Sequence, residues 1–536
     1  MLLGVVAAAS FAAAQVNVTT HHYDNARSGA NTNETVLTPQ NVTVSSFGKL
    51  FSQTVNGYVY AQPLYLANVS IPGKGTHNVV FVATEGDSVY AFDADNNTGA
   101  NASPLWQASL IDTAHGAAAG ATTVSSSSDI GCSDLVPQVG ITSTPVIDPA
   151  TGTMYVEANS KEGGVFIHRL HALDVTTGAE KSPGPVVITA TIPGTGDGSV
   201  GGQIAFNALR QLNRPALLLV NGTIFLGYAS YCDSGPYHGW VFAFDAATFT
   251  QKGVFNTTPN GGQGGFWMSG AGLAADSNGT NENIYAATGN GTFSQDSPLE
   301  LSDSILKLSF SNGTLSLADY FTPYNQASLS INDDDLGSGG VLLLPDQPGT
   351  HPHVLAVAGK QGRIYLVDRD IMTVNNQHYC SGCASDPQIV QESSSFQVGG
   401  LWSMPAYWNN TVYFWGSGDV LKSIPLVNGL LDYAHLTSST ISYSFPGATP
   451  TISANGTSSG IVWAIDSSAY GAPGSAVLHA HDATNVAKEL WNSTQAANGR
   501  DKAGNAVKFT VPVIVNGKVY IGTSTEVDIY GLFIAP

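Results

Sequence analysis

The chain has 536 residues, of which 11% are charged, 43% are hydrophobic and 59 are glycine, and its formal net charge is −20. The 19 Lys and Arg residues are too few for a nucleic-acid footprint, and the negative field disfavours docking on an anionic membrane surface. Low charge with many Gly, Ser, Thr, Asn and Val residues favours a β-rich protein.

The first fourteen residues, MLLGVVAAASFAAA, are apolar and end in a small-x-small pattern before Gln15. This pattern predicts a signal peptide over residues 1–14, although a buried N-terminal segment would have a similar sequence. No later stretch contains 18 consecutive apolar residues, so no membrane span is predicted. We therefore expect a secreted, extracellular and monomeric protein with a single domain over residues 15–536.

Sequons for N-linked glycosylation are frequent along the whole chain. Many of them are Asn-Gly-Thr turns, whose own chemistry raises the count, yet the excess still favours a eukaryotic secretory route. The fourteen N-x-S/T sites are Asn17, Asn33, Asn41, Asn68, Asn96, Asn101, Asn221, Asn256, Asn278, Asn290, Asn312, Asn409, Asn455 and Asn492.

A strand pattern begins to repeat near residue 61. The third strand of each repeat ends in an alternating apolar run and an Asp, and a turn follows. Alternation predicts a half-buried strand, and the Asp carboxylate can accept backbone N–H groups of the turn. A four-stranded unit of this kind cannot bury both of its faces alone, so several units are expected to stack radially as a β-propeller. The copies lie at 89–93 (VYAFD), 170–174 (LHALD), 241–245 (VFAFD), 478–482 (LHAHD) and, more loosely, 364–368 (IYLVD).

Eight units can be counted from the residues that open them, which are polar or small and often precede a proline. The last unit supplies only three strands, whereas a strand at 48–55 has no unit of its own. We therefore predict an all-β, eight-bladed propeller in which strand 48–55 completes the last blade and closes the ring, with seven blades as the alternative. The predicted openings are 62–64, 144–147, 214–217, 270–273, 339–342, 404–406, 449–452 and 511–514.

The four cysteines are Cys132, Cys232, Cys380 and Cys383. An even number in a secreted chain predicts two disulfides among three possible pairings. Cys380 and Cys383 can pair through a tight turn, which would leave Cys132 with Cys232. A zinc site is the alternative, but no second CxxC or HxxxH accompanies the motif.

The N-terminal region carries a family resemblance. Segments 23–31 (YDNARSGAN), 37–42 (LTPQNV) and 47–51 (FGKLF) are similar to the opening of quinoprotein dehydrogenases. The mature chain resembles secreted pyrroloquinoline-quinone (PQQ)-like repeat proteins of bacteria and fungi. This resemblance implies a PQQ-type propeller and, in its catalytic members, PQQ with Ca²⁺ at the channel mouth and oxidation of alcohols or sugars. The resembling stretches are 140–147, 214–219, 236–240, 336–343 and 359–365.

This chain also departs from the catalytic members of that family. It has no adjacent cysteine pair of the kind that packs on the cofactor in methanol-dehydrogenase-like enzymes. It also has no C-x-x-C-H motif for a haem, so a cytochrome domain is not expected.

Candidate cofactor-binding residues lie where the inner strands begin. Gln62, Arg214 and Lys360 are polar residues at these positions, and the two cations suit a ligand with three carboxylates. The alternative for Arg214 is a structural role in which it ties blades together.

The densest acidic run, Asn332-Asp333-Asp334-Asp335-Leu336-Gly337, contains candidate metal ligands. Adjacent carboxylates repel one another, so Asp333 and Asp335 are predicted to hold a hard cation such as Ca²⁺, with a solvated loop as the alternative. Asp335 is also a candidate catalytic residue.

Two further residues are candidate catalytic groups. Glu85 ends a second strand as a lone carboxylate, and His238 is flanked by Tyr237 and Trp240. Each residue has a structural alternative, namely an ion pair for Glu85 and a hydrogen-bonded structural histidine for His238.

Three functions remain open from the sequence. The first is a quinoprotein-like oxidoreductase with a small-molecule or carbohydrate ligand at the channel mouth. The second is a non-catalytic propeller that binds glycans or a protein partner. The third is a polysaccharide-cleaving enzyme. A slot floored by Trp with an Arg or Lys and a cation site favours the first function, and an open groove with aromatic platforms favours the second.

Overall fold

The computed structural model describes residues 15–277, 281–295 and 300–533, so the predicted signal peptide lies outside the described residues. Eight four-stranded antiparallel sheets form the blades of a propeller, which confirms the predicted count of eight. The first strands of neighbouring blades lie side by side and therefore surround a common axis. Among the described residues, no helix has the length and apolarity needed to cross a membrane.

Blades 1 to 4 are continuous in sequence. Each blade begins at its innermost strand and proceeds outward. Their strands are Leu64–Ile71, Gly75–Thr84, Ser88–Asp93 and Trp106–Ser109; Val146–Asp148, Thr153–Glu162, Val165–Asp174 and Val186–Val187; Leu218–Val220, Thr223–Ser230, Trp240–Asp245 and Gln251–Asn256; and Ala274–Ser277, Glu282–Ala287, Ile305–Ser311 and Thr314–Phe321.

Blades 5 to 7 repeat the same arrangement. Their strands are Val341–Leu343, Val354–Ala358, Ile364–Asp368 and Gln391–Glu392; Ala406–Trp408, Thr411–Phe414, Asp419–Val427 and Thr437–Tyr443; and Thr451–Asn455, Ser458–Asp466, Val477–Asp482 and Asn485–Asn492.

Blade 8 is built from both ends of the chain. Val513–Val515, Lys518–Gly522 and Glu526–Leu532 form its first three strands, and Phe47–Thr54 forms the fourth. The fourth strand pairs with the third from Phe47 opposite Leu532 to Thr54 opposite Glu526. The predicted ring closure is thus confirmed.

Shorter elements decorate the ring. The additional strands are Ala30–Asn31, Thr122–Ser125, Gln138–Val139, Thr191–Pro193, Gln203–Ala205, Gln211–Leu212 and Leu430–Leu431. The helical turns are the α-helix Gln326–Asn332, the π-helix Ser126–Ile130 and the 3₁₀ turns Gly99–Ala102, Thr113–His115, Leu336–Ser338, Val374–Asn376, Tyr433–His435, Ser468–Gly471 and Ala497–Gly499.

The Asp at the end of the repeat motif binds the turn that follows it, as the sequence predicts. The carboxylate of Asp174 accepts a hydrogen bond from the backbone N–H of Thr176, and that of Asp245 does the same for Ala247 and Thr248. These bonds fix the turn into the fourth strand. The indole of Trp106 then donates to the carbonyl oxygen of Val175 in the next blade at 2.9 Å, so the tryptophan joins neighbouring sheets.

The N-terminal segment 16–31, here called the axial segment, lies along the innermost strands of all eight blades. Its contacts follow the order of blades 1 to 7, and the side chain of Tyr23 reaches blade 8, so the segment fills the central channel below the end at which the innermost strands begin. In order from blade 1 to blade 8, the hydrogen-bonded pairs are Val18 with Tyr65, Thr19 with Ile147, Asn25 with Leu219, Asn25 with Ala275, Ala26 with Leu343, Ser28 with Tyr407, Gly29 with Ile452 and Tyr23 with Ile514.

Candidate functional site

A cleft opens at the end of the channel where the innermost strands begin, here called the mouth. The loops around it either lead into an innermost strand or connect the second and third strands of a blade. Such loops are free of the repeat pattern, so they can carry residues chosen for function. The cleft has an empty volume of about 540 Å³ and is lined by Asp134, Arg214, Cys232, Asp233, Trp267, Ser269, Asp335, Ser338, Lys360, Trp402, Phe445 and Phe509.

Arg214 lies at one side of the cleft. Its Nη1 donates to the hydroxyl of Ser269 at 2.9 Å, and its Nη2 donates to the carboxylate of Asp134. Its guanidinium carbon is 4.9 Å from the ring centroid of Phe509 and 5.7 Å from that of Trp267. Nε is buried and has no hydrogen-bond partner among the described residues. The Nε–H of this guanidinium is thus a buried donor whose hydrogen-bonding capacity is unused by the described residues.

Asp134 joins two cations. Lys508 Nζ lies 2.5 Å from Asp134 Oδ1, on the side opposite Arg214. Burial alone would raise the pKa of Asp134, but Arg214 and Lys508 outweigh it and lower that pKa to about 2. The carboxylate is therefore ionised at any physiological pH, and the trio carries one net positive charge.

A disulfide holds this trio in place. Cys132 is bonded to Cys232, and Cys380 to Cys383, so each pair lies at disulfide distance. The Cys132–Cys232 bridge ties the loop that carries Asp134 to a loop of blade 3, and the backbone N–H of Asp134 donates to Cys132 Sγ at 3.3 Å. The bridge therefore keeps Asp134 beside Arg214.

A second charged group lies at the other side of the cleft. Lys360 Nζ is 2.5 Å from Asp335 Oδ2 and 2.8 Å from Asp333 Oδ1. The backbone N–H of Asn290 donates to Asp335 Oδ1 at 2.6 Å, and Asn290 Nδ2 donates to Asp333 at 2.8 Å. Asn290 Oδ1 is buried without a partner in the described part of the chain. Three oxygen-bearing side chains thus converge beside one ammonium group.

Asp335 and its neighbour Asp303 have different electrostatic environments. Burial raises the pKa of Asp335, while Lys360 and the N–H of Asn290 oppose the shift. Burial and the charge of Asp335 raise the pKa of Asp303 well above its ordinary value. Burial thus favours the neutral form of both carboxyl groups, and Lys360 with the N–H of Asn290 opposes this effect at Asp335.

Trp267 forms a wall between the two charged groups. A Cβ atom at Gly289 would lie 2.2 Å from Asp335 Oδ1 and 2.6 Å from Trp267 Cδ1, so only glycine allows both side chains to pack there. The indole N–H of Trp267 is buried and has no acceptor among the residues described. On another side, the ring centroid of Trp402 is 6.0 Å from Lys360 Nζ.

A wider groove continues from the cleft along its Asp134 side. It has an empty volume of about 1560 Å³ and shares Asp134, Cys232 and Phe445 with the cleft. Tyr58, Tyr60 and Tyr470 are further lining residues, so aromatic rings are frequent along it. The mouth thus combines a tight charged cleft with an open aromatic groove.

The structure brings together some of the residues proposed from sequence. Arg214, Lys360 and Asp335 line the same cleft, and Asp333 contacts Lys360 at its edge. Gln62 lies below the cleft, where its Oε1 accepts the backbone N–H of His22 in the axial segment.

Glu85 and His238 do not line the cleft. Glu85 is fully buried and accepts hydrogen bonds from the N–H of Gly140 and the hydroxyl of Thr142. Burial raises its pKa to about 7. His238 is bonded to the hydroxyl of Thr258 and the carbonyl oxygen of Asp197. These contacts match the structural alternative for His238, whereas Glu85 accepts hydrogen bonds in place of the predicted ion pair. The catalytic role of both residues stays a prediction.

Several cleft residues escaped the sequence analysis. The sequence pattern does not single out Asp134, Ser269 and Phe509 in the cleft or Lys508 in the adjoining groove, and it marks Asn290 only as a sequon. The Gly-Asn-Gly turn at 289–291 precedes the acidic run by about one strand pair, and that spacing is the signal that could have linked Asn290 to Asp335.

The donor set of the cleft suits, in kind, a planar carboxylated quinone and a hard cation. Two unpartnered N–H groups, on Arg214 and Trp267, point to an acceptor-rich ligand. The unpartnered Oδ1 of Asn290 beside Asp333 and Asp335 offers oxygen ligands of the type that Ca²⁺ prefers. By donor type the residues therefore fit PQQ with Ca²⁺, with Lys360 already paired to Asp333 and Asp335 and with Cys232 of the disulfide on the lining instead of an adjacent cysteine pair.

Comparisons with known proteins support the fold. No protein-family model matches the chain, and no curated protein matches it. It is similar in structure to a quinohemoprotein alcohol dehydrogenase from Pseudomonas putida HK5, with 16% identity, a TM-score of 0.59 and coverage of 97% of this chain and 82% of that one. It is also similar to a quinohemoprotein alcohol dehydrogenase from Comamonas testosteroni, with 14% identity, a TM-score of 0.58 and coverage of 98% of this chain and 82% of that one. For BamB from Moraxella catarrhalis the identity is 12%, the TM-score is 0.50, and the match covers 90% of this chain and 99% of that one. At these identities the likeness shows a PQQ-type propeller fold and leaves activity open.

Proposed function

We propose that this chain is a quinoprotein-like oxidoreductase that acts on alcohols or sugars at the channel mouth. The observation that carries the proposal is the position of Asp335. Its carboxylate is held by the N–H of Asn290, is paired with Lys360 and lies beside Trp267, both side chains being next to Gly289. A base, a cation and an aromatic surface therefore meet in one cleft.

Each residue has a defined part in this proposal. Arg214, Lys508 and Lys360 would hold the carboxylates of PQQ, and Trp267 would support its plane. Asn290 and Asp333 would supply oxygen ligands to Ca²⁺, which leaves the carboxylate of Asp335 as the base. When bound, the quinone supplies a two-electron acceptor. Asp335 accepts the proton of the substrate hydroxyl, and Lys360 stays at hydrogen-bond distance to orient that carboxylate.

The aromatic groove extends the proposal to the substrate. Tyr58, Tyr60 and Tyr470 offer ring faces on which sugar rings can stack, and the groove leads directly into the cleft. A polyol or saccharide bound there would present a hydroxyl group towards Asp335. Small alcohols would bind only at the end of the groove that joins the cleft.

The cellular route belongs to the same proposal. Two cysteine pairs at disulfide distance are compatible with an oxidising compartment, and the leader-like residues 1–14 and the sequons other than Asn290 support secretion and glycosylation. Expression in a eukaryotic secretory host tests this route. A glycosidase-sensitive shift in the mass of protein from the medium is expected, and an unmodified protein retained in the cell would contradict it.

Cofactor titration tests the activity. PQQ and Ca²⁺ added to the purified protein should change the quinone absorbance, quench tryptophan fluorescence and raise the melting temperature. The loaded protein should then reduce an artificial electron acceptor when alcohols or sugars are supplied. Lys360→Met should weaken PQQ binding, whereas Lys252→Met, outside the cleft, should not. Absence of any shift at saturating cofactor would exclude the oxidoreductase.

A non-catalytic glycan-binding propeller is the second candidate, and the open aromatic groove favours it. In that case oligosaccharides would bind without PQQ, and Tyr470→Ala would weaken their binding. The same titration, carried out with and without PQQ, separates the two functions.

A further inference from the structure

We propose that His479, His481 and Glu489 form a binding site for one divalent transition-metal ion between blades 6 and 7. This site lies outside the mouth and is independent of the function proposed there. One potential ligand atom from each of the three side chains lies within 4.8 Å of the others. Within the described ranges, theirs is the one group of three His, Cys, Asp or Glu side chains that meets this criterion.

The strand register of blade 7 creates the group. His479 and His481 alternate on the third strand, Val477–Asp482, and therefore project from the same face of the sheet. Glu489 is directly opposite His481 on the fourth strand, Asn485–Asn492. That face packs against Trp415 and Tyr443 of blade 6, whose rings lie 5.4 Å from His481 and 5.2 Å from His479, respectively.

A backbone carbonyl fixes the tautomer of His481. Its Nδ1 lies 2.9 Å from the carbonyl oxygen of Val486, which can only accept, so Nδ1 carries the hydrogen. Nε2 is therefore a lone-pair nitrogen, and it has no hydrogen-bond partner in the part of the chain described here. The residue is 1% exposed. A buried lone pair oriented by a carbonyl on the other ring nitrogen is the usual arrangement of a metal-binding histidine.

The other two side chains form a pair that an ion can enter. His479 Nδ1 lies 2.6 Å from Glu489 Oε1, and Asn492 Nδ2 donates to the same oxygen at 3.0 Å. The ion would replace the hydrogen between His479 and Glu489, and that hydrogen would leave as a proton. Asn492 would continue to orient the carboxylate, as second-shell groups do in metal sites.

An internal comparison distinguishes this group from a structural contact. Blade 2 carries the same pair at the same place in its repeat, with His171 Nδ1 2.9 Å from Glu180 Oε2. There the residue two positions on is Leu173, whereas blade 7 has His481. The His–Glu pair is thus part of the scaffold in both blades, and the second imidazole is what completes a ligand set in blade 7.

The types of ligand atom limit which metal ions can bind at this site. Two imidazoles and one carboxylate suit Zn²⁺, Cu²⁺, Ni²⁺ or Fe²⁺, whereas Ca²⁺ takes oxygen ligands. Three protein ligands leave at least one position for water or a further group. The hydroxyl of Tyr443, which is also buried without a described partner, belongs to the same interblade space.

Metal titration of the intact protein tests the proposal. Chelator-treated protein is titrated with Zn²⁺ against a competing chelator, and Co²⁺ is used to record the visible absorption bands of a bound ion. The wild type should show one tight site. His481→Leu, which copies the side chain of Leu173, should weaken that site at least 100-fold and abolish the Co²⁺ bands. His171→Leu, the matched control in blade 2, should leave both unchanged.

A second variant guards against misfolding. Glu489→Gln keeps the size of the side chain and the hydrogen bond from Asn492, yet it removes the charged ligand, so it should also lower affinity at least tenfold. Circular dichroism verifies the fold of each variant. An equally tight site in folded His481→Leu or Glu489→Gln, or no tight site in the wild type, would overturn the proposal. Weak binding by an exposed histidine such as His435 would persist in every variant and cannot imitate this pattern.

Discussion

Arg27 Nε donates to the carbonyl oxygen of Leu273, 246 residues later in the chain, at 2.8 Å. The same guanidinium donates to the carbonyl oxygens of Leu217 and His21 and to the hydroxyl of Thr20. A single fully buried side chain thus joins the axial segment to the innermost strands of blades 3 and 4. The centre of the ring is therefore held by polar contacts rather than by apolar packing alone.

Replacement of Arg27 tests this role. Arg27→Met removes every one of these donors and leaves buried carbonyl groups without partners, each costing about 1–3 kcal/mol. We expect a loss of about 3–5 kcal/mol in the free energy of unfolding, measured by urea denaturation. Arg210→Met, at a partly exposed cation, is the control and should change stability by less than about 0.5 kcal/mol. Equal stability of the two variants would contradict the proposed role.

Glu85 makes stability depend on pH. Burial raises its pKa in the folded protein to about 7 from 4.5. Between these values the unfolded chain releases the proton and the folded one keeps it, so stability falls as pH rises through this window, by about 3 kcal/mol in total. Glu85→Gln cannot ionise and retains an acceptor for Gly140, so it should gain about this amount relative to wild type between pH 4.5 and pH 7.5.

Urea unfolding of both proteins at the two pH values measures this difference. Asp346→Asn, whose parent side chain is 83% exposed, is the control and should follow the wild type at both pH values. A constant difference between Glu85→Gln and wild type would show that Glu85 is not the titrating group.

The two disulfides should differ in their contribution to stability. Cys132 and Cys232 are 100 residues apart, whereas Cys380 and Cys383 are three apart. The loop-entropy model gives about 4.7 kcal/mol for the long loop and about 2 kcal/mol for the short one. The double variant Cys132→Ser/Cys232→Ser should therefore unfold at a lower urea concentration than Cys380→Ser/Cys383→Ser. The opposite order would refute the model.

Substitution of Asp335 should reduce the proposed activity strongly. With PQQ and Ca²⁺ supplied, Asp335→Asn should lower kcat for dye-linked alcohol or sugar oxidation by about 10²–10⁴-fold, because it removes the base. Asp334→Asn, at the adjacent residue outside the cleft lining, should retain activity within about threefold. Steady-state dye reduction measures both variants, and comparable rates would exclude Asp335 as the base.

The sequence predicted the scaffold because the scaffold is periodic. Alternating strands and the terminal Asp of each repeat, as at Asp174 and Asp245, identified the blades and their number. The unassigned strand near residue 48 had no unit to join except the three-stranded last one, which explains why the ring closure could be predicted from the pattern alone.

The mouth could be predicted only in part because its loops carry no period. Arg214, Lys360 and Asp335 were identified as charged residues at blade openings. Asp134 and Lys508 meet at the groove beside the cleft although they are 374 residues apart, and only the folded ring brings them within a hydrogen bond. The axial segment was also hidden, because its hydrogen bonds to eight blades depend on a channel that no local sequence pattern encodes.

The blade shared by both ends of the chain has a consequence for biosynthesis. Strand Phe47–Thr54 emerges early from the ribosome, but its partner Glu526–Leu532 is made some 470 residues later. At 5–20 residues per second, this delay is on the order of half a minute or longer. Until residues 526–532 have been made, the nascent chain therefore carries an unpaired strand that is open to aggregation, and the last blade can form only after that point.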